Sequence, residues 1–232
     1  MRPNYYFCFT NTGNTNFTGS IQDLFAGATE TSAVALEWAL SELLRHPRAM
    51  KSLQQEIESV VGEHGKVKES DLASMKYLRC VLKETLRLYP PVPLSIPHES
   101  VEAVTVGGYY IPKKAILLVN VWAIGRDPRV WGADDALKFM PERFMQEDQI
   151  DLKGTGDFRM IPFGAGRRGC PGVPMASPTI ELALAQLVHN FEWKFEGDLS
   201  QMDMTEASAT TIGRQVPLFG VPSLRLPLSN YI

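Results

Sequence analysis

The ten residues Phe163-Gly164-Ala165-Gly166-Arg167-Arg168-Gly169-Cys170-Pro171-Gly172 constrain this chain more than any other stretch. A run this rich in glycine disfavours helix and strand interiors, and it lets a ligand approach the backbone closely. Gly164, Gly166 and Gly169 also spell Gly-x-Gly-x-x-Gly, the pattern of a dinucleotide-binding turn. Such a turn must open a helix at once and meet an acidic residue about 20 positions later, at a strand end. Here Cys170-Pro171-Gly172 and Pro174 stand where that helix would begin, and Glu181 falls inside a helical pattern. The dinucleotide reading fails on both counts. What remains distinctive is Cys170, a single cysteine behind a pair of arginines.

Composition narrows the class. With 232 residues, 44% of them hydrophobic, the chain has enough apolar material for one large or two small packed domains. A net charge of −3 gives no electrostatic footprint for nucleic acid, and no such partner is expected. Cys8, Cys80 and Cys170 are odd in number and widely spaced, which excludes a disulfide framework and a Cys-x-x-Cys zinc site. The most apolar run, Ala115 to Gly125, is broken by Asn120 and falls short of the ~18 residues a membrane span needs. Residues 1–18 are rich in Asn, Thr and aromatics without a continuous apolar stretch; they are expected to lack order and are not a signal peptide.

From Ser20 the pattern changes. Ser20-Ile21-Gln22-Asp23 has the spacing of a capping box, followed by apolar residues at helical intervals from Leu24 to Leu43. His46-Pro47 ends that helix, because proline disfavours the helical conformation of the residue before it. Pro47 opens a second helix to about Val61, with Gly62 as its stop. A third is expected over about Met75 to Leu88, entered through Ser70-Asp71 and closed before Pro90-Pro91. Val104 and Val106, Gly107-Gly108, then Tyr109 and Ile111 predict a hairpin. Ala115 to Val121 reads as a buried strand, Met175 to His189 as a helix, and Phe191, Trp193 and Phe195 as a strand. Val216 to Leu228 reads as a final hairpin, and Pro178 predicts a kink or a late start in the Met175 helix. The fold class is α+β and mainly α, with helices first and small sheets later.

The chemistry gathers at Cys170. A lone cysteine is ordinarily a small core hydrophobe, as expected for Cys8 and Cys80. Around Cys170 the glycines remove bulk, backbone amides are free to hydrogen-bond sulfur, and Arg167 and Arg168 favour the thiolate. Haem is the cofactor for which one cysteine suffices as protein ligand. The loop resembles the haem-binding signature of the cytochrome P450 family. Glu84-Thr85-Leu86-Arg87 resembles that family's Glu-x-x-Arg helix, and Pro141-Glu142-Arg143-Phe144 the segment that completes its ion-pair cluster. Ala26-Gly27-Ala28-Thr29-Glu30-Thr31-Ser32 resembles its oxygen-binding helix, with Ala28 where a second glycine is usual. The order of the four motifs matches the family's over roughly residues 20–228, and residues 19–232 are expected to be a partial domain of that fold.

The resemblance implies a haem b monooxygenase. Cys170 is the implied iron ligand, with Phe163, Gly164, Gly166 and Gly172 shaping its loop. Arg168 and, from the adjacent sheet region, His98 are implied partners of the haem propionates. Glu84, Arg87 and Arg143 are implied to form a buried ion-pair cluster that fixes the loop's platform, a structural role. Glu30 and Thr31 are the implied proton relay toward dioxygen. Ala26, Gly27, Val92, Leu94, Ile96, Thr211 and Ile212 are the expected substrate pocket, apolar or small, which suits an apolar small molecule.

The wording of Glu37-Trp38-Ala39-Leu40, Ile111-Pro112-Lys113-Lys114 and Val216-Pro217-Leu218-Phe219-Gly220-Val221-Pro222 resembles plant microsomal members. Among these, ferulate/coniferaldehyde 5-hydroxylases and flavonoid 3′-hydroxylases are the nearest in wording, with terpenoid oxidases as competitors. The implied partners are dioxygen and an NADPH-dependent reductase. The implied location of a full-length parent is the cytoplasmic face of the endoplasmic reticulum membrane, held by an anchor that this chain lacks. The alternative is a truncated, non-catalytic relic that keeps the signatures without holding haem productively.

Overall fold

A computed structural model describes residues 17–62, 65–146 and 150–225, with side chains from Leu24 onward except Ala26. Among the described residues, six α-helices and six short strands follow in order. The helices are α1 (Phe17–Arg45), α2 (Pro47–Val61), α3 (Lys76–Leu88), α4 (Val121–Ile124), α5 (Pro128–Trp131) and α6 (Val173–Asn190). The strands are β1 (His98–Glu99), β2 (Val104–Val106), β3 (Tyr109–Ile111), β4 (Ile116–Leu117), β5 (Phe191–Phe195) and β6 (Gly220–Leu224). They pair antiparallel as β1 with β4, β2 with β3, and β5 with β6. The α+β, mainly α, architecture is as the sequence predicts.

The helical core explains itself residue by residue. In α2, Ala49, Leu53 and Ile57 recur every fourth position and are buried, while Pro47 opens the helix and Gly62 at φ 78° ends it. α3 is buried on nearly every face from Tyr77 to Leu88. α1 changes character midway. Residues 27–30 are exposed, whereas residues 38–44 are all buried, among them Trp38, Leu43 and Glu42. The buried half packs Ala39 and Leu43 with Leu53, Ile57, Leu78, Val81, Leu184 and Val188. Each such aliphatic side chain stabilises the fold by about 1.5–3 kcal/mol. A second core joins Ala35, Leu82 and Leu86 to Trp131, Phe144, Met160 and Ile180, with Phe163 against it.

Several expectations need correction. The capping box at Ser20 does not start α1, which begins at Phe17; a cap is worth only ~1 kcal/mol and does not stop a helix from extending by a turn. The lack of order expected for residues 1–18 falls, up to residue 16, outside the described residues, while Phe17 and Thr18 are helical. Ser70-Asp71 does not lead directly into α3 but lies in a separate 3-10 turn, Glu69–Ser74, where Asp71 Oδ2 accepts from the Lys68 N–H at 2.8 Å.

The buried strand Ala115–Val121 shrinks to Ile116–Leu117, and these two side chains are 75% and 53% exposed. Its apolar residues form a face that none of the described residues covers. Of the hairpin predicted over Val216–Leu228, residues 226–228 lie outside the described residues; the described part holds the one strand β6, which pairs with β5, Trp193 opposite Pro222. Finally, α6 begins at Val173 and runs through Pro178. The proline sits near the start of the helix, where its missing N–H costs a single bond to the Pro174 carbonyl.

Candidate functional site

The Cys170 loop is built by short hydrogen bonds and two glycines in the left-handed region. Gly164 and Gly166 have φ of 72° and 71°, a conformation costly to any residue with a Cβ. The Cys170 N–H donates to the Phe163 carbonyl at 2.8 Å, closing the loop, and the Gly169 N–H donates to Gly166 at 3.1 Å. The Gly172 N–H points at Cys170 Sγ, 3.3 Å away. Cys170 is exposed, as are Gly166, Arg167 and Arg168, and a Cβ placed on Gly166 would meet nothing within 4 Å. The sulfur faces open ground, not packed hydrocarbon.

Beneath the loop lies a rigid platform. Phe163 packs against the cluster of Leu86, Trp131 and Phe144. Gly154, at φ 61°, is buried under it: a Cβ there would lie 3.1 Å from each of Ala165 Cβ, Gly164 O and Ile161 Cγ2. Glu84 and Arg87 on α3 have wholly buried side chains; Arg87 Nε and Nη2 donate to the two carboxylate oxygens at 2.7 and 2.8 Å. Arg87 spends its other donors on the carbonyls of Gly125, Ala136 and Lys138. Arg143 Nε reaches Glu84 Oε1 at 3.0 Å, where the Met140 N–H also donates. Both guanidiniums lie over the Trp131 ring. Every buried donor and acceptor of the trio is satisfied, the condition under which buried charge is tolerated.

The remaining candidates are placed less tightly. Thr31 Oγ1 donates to the Gly27 carbonyl one turn back in α1, at 2.7 Å, and Glu30 beside it is exposed. Val34 and Ala35, one turn on, mark the face Thr31 shares: Val34 touches the Gly213 turn, and Ala35 belongs to the cluster under Phe163. The structure brings Ile212 to the same region, its N–H donating to Pro91 and its carbonyl accepting from Trp38 Nε1 at 3.2 Å. Val92 follows Pro91 directly; Leu94 and Ile96 are exposed, and Thr211 is half-buried. Gly27 is an exposed helical residue, and the side chain of Ala26 lies outside those described. His98 is half-buried in β1 opposite Leu117; no hydrogen bond links it to the Cys170 loop among the described residues.

Sequence reasoning missed the residues that hold this platform from behind. Gly125 is buried, and a Cβ there would come within 2.2 Å of the Arg87 carbonyl oxygen. Trp131 underlies both guanidiniums. Neither had a local signal, since each acts through a neighbour distant in the chain.

A single soft donor on a glycine loop, an exposed arginine pair and open space above the sulfur fit a haem held through one thiolate. Comparison with known proteins gives the family. The family model described as cytochrome P450 matches residues 10–218, and the chain belongs to that family. It is 67% identical over 208 residues to cytochrome P450 750A1 of Pinus taeda, covering 88% of this chain and 39% of that protein. It is 50% identical over 203 residues to the geraniol 8-hydroxylase of Catharanthus roseus, covering 87% of this chain and 40% of that enzyme. A zebra fish cytochrome P450 solved with abiraterone matches with a TM-score of 0.77 at 29% identity, covering 88% of this chain and 46% of its own. The chain thus spans about two fifths of the curated relatives it matches.

Proposed function

We propose that this chain supplies the thiolate loop, the proton-relay helix and part of the substrate wall of a haem-thiolate monooxygenase. The exposed Cys170 sulfur, receiving the Gly172 N–H within a loop braced by the Glu84–Arg87–Arg143 cluster, carries the reading. Cys170 Sγ would ligate the iron of haem b. Arg168, and His98 as second partner, would bind its propionates through charge-assisted hydrogen bonds. When bound, the haem supplies the activation of dioxygen, with thiolate electron density favouring O–O cleavage.

The chain's own residues do the rest. The Thr31 hydroxyl keeps its proton at Oγ1 on the Gly27 carbonyl, ready to be handed on, and the exposed Glu30 carboxylate restores it from solvent. Val92, Leu94, Ile96, Thr211 and Ile212, with Ala26 and Gly27 of α1, offer apolar or small surface and exclude water from a substrate. The substrate is an apolar plant metabolite, a phenylpropanoid, flavonoid or terpenoid; similarity to an enzyme named for geraniol supports that range. Electrons come from an NADPH-dependent reductase at the cytoplasmic face of the endoplasmic reticulum.

The test is a reduced carbon monoxide difference spectrum after haem reconstitution. A Soret band at the thiolate position that disappears in Cys170→Ser supports the assignment. A flat spectrum favours the second reading, a non-catalytic relic, which the exposed apolar residues Leu94, Ile96 and Ile116 to Leu118 would fit.

A further inference from the structure

The rings of Trp38 and Tyr89 stack with centroids 4.0 Å apart and 7° between their planes. The Arg126 guanidinium lies 5.6 Å from the centroid of the Tyr89 ring and 4.0 Å from that of the Trp122 ring. Arg214, itself buried, sits 5.7 Å from the Trp38 ring. One column of contacts, through Arg214, Trp38, Tyr89, Arg126 and Trp122 in turn, therefore runs from the core to Trp122, which is 38% exposed.

The three rings differ in where a proton can go. The Tyr89 hydroxyl donates to Glu42 Oε1 at 2.5 Å, and Glu42 is buried in α1. Trp122 Nε1 donates to both oxygens of Glu206, at 3.0 and 3.1 Å, and Arg126 pairs with that same carboxylate at 3.0 Å. Among the described residues, Trp38 Nε1 meets only the Ile212 carbonyl, too weak a base to accept a proton.

We propose that this column is a one-electron path that rests at Tyr89, with Glu42 as proton acceptor and Trp122 as its contact with the surface. A one-electron oxidant at the surface takes an electron from Trp122. Tyr89 refills it across Arg126, whose guanidinium approaches both rings, and the Tyr89 phenolic proton moves to Glu42 Oε1. The products are the reduced oxidant, a neutral Tyr89 phenoxyl radical and a protonated Glu42. A hole on Trp38 keeps its positive charge beside Arg214, so Tyr89 is the lower resting place. Tyr77 provides an internal comparison. Its hydroxyl also donates to a carboxylate, Glu142 at 2.6 Å, but no ring stacks on it among the described residues. The proposal stands apart from haem binding.

The experiment oxidises the folded chain, held in non-ionic detergent, with flash-generated tris(bipyridine)ruthenium(III), and reads the trapped radical by electron paramagnetic resonance. The expected signal narrows with ring-deuterated tyrosine, falls at least threefold in Tyr89→Phe, and is unchanged in Tyr77→Phe. Its formation slows at least threefold in Trp122→Phe. A signal that survives Tyr89→Phe, or that resides on the exposed Tyr109 and Tyr110, overturns the proposal, as does a rate indifferent to Trp122.

Discussion

Arg87 and Glu84 form a two-point ion pair one helical turn apart, with both side chains withdrawn from solvent. At the surface an i,i+3 pair of this kind is worth ~0.2–0.5 kcal/mol. Here it carries more, because Arg143, the Met140 N–H and three carbonyls from the 125–138 segment complete it. Replacing Arg87 by Ala leaves the Glu84 carboxylate buried without its main partner. Urea unfolding followed by near-ultraviolet circular dichroism should show a loss of about 3–5 kcal/mol; a loss under 1 kcal/mol would refute the buried-cluster account.

Gly154→Ala tests the floor of the cysteine loop. The new methyl group would press on Ala165, Gly164 and Ile161 at 3.1 Å, on a backbone at φ 61° that disfavours any Cβ. Strain and overpacking together cost about 1–3 kcal/mol. The Cys170 thiol should then react faster with a disulfide reagent than in the parent, because its loop loosens. An unchanged rate would show that the loop does not depend on this contact.

Burial raises the Glu181 carboxyl to about 7 from its ordinary 4.5, with the Arg79 and Lys83 charges opposing. Between these values the folded chain keeps a proton that the unfolded chain has lost. The contribution is fully present below the unfolded value and fades as pH rises through 7. Glu181→Gln removes this dependence. At about pH 8 the variant should be more stable than the parent by about 1–2 kcal/mol, with little difference at about pH 4.5. An equal gap at both pH values would rule the linkage out.

His189 runs the other way. Desolvation lowers its pKa, its Nε2 is 2.9 Å from the Gly65 carbonyl, and its Nδ1 is buried without a partner. Nε2 must carry the proton and donate, so a second proton at Nδ1 would have no acceptor. Protonation therefore favours the unfolded chain, and stability should fall as pH drops below about 6.5. His189→Gln should flatten that limb of the profile; a parent profile with no fall between about pH 6.5 and 5 would contradict it.

The exposed apolar residues of the β1–β4 region, Ile96 and Ile116 to Leu118, predict self-association of the chain without detergent. Ile116→Thr with Leu118→Thr should reduce binding of an anilinonaphthalene dye and shift the chain toward monomer on sizing. A parent already monodisperse without detergent would sink this expectation.

Much of this was legible in the primary structure, because local rules decided it. Pro47 and Gly62 mark the ends of α2, the Gly107-Gly108 pair turns the β2–β3 hairpin, and the glycine pattern forces a loop around Cys170. The motifs at Cys170, Glu84, Arg87 and Arg143 are short local strings that the primary structure displays directly, although it does not display the contact that joins Arg143 to Glu84. The tertiary structure decided everything that rests on a partner far along the chain. It joined β6 to β5, placed Gly125 under Arg87, and stacked Trp38 on Tyr89. It also turned the apolar run at Ile116 outward. Periodicity reports that a face is apolar but not what covers it, since burial belongs to pairs of surfaces and a sequence pattern describes only one of them.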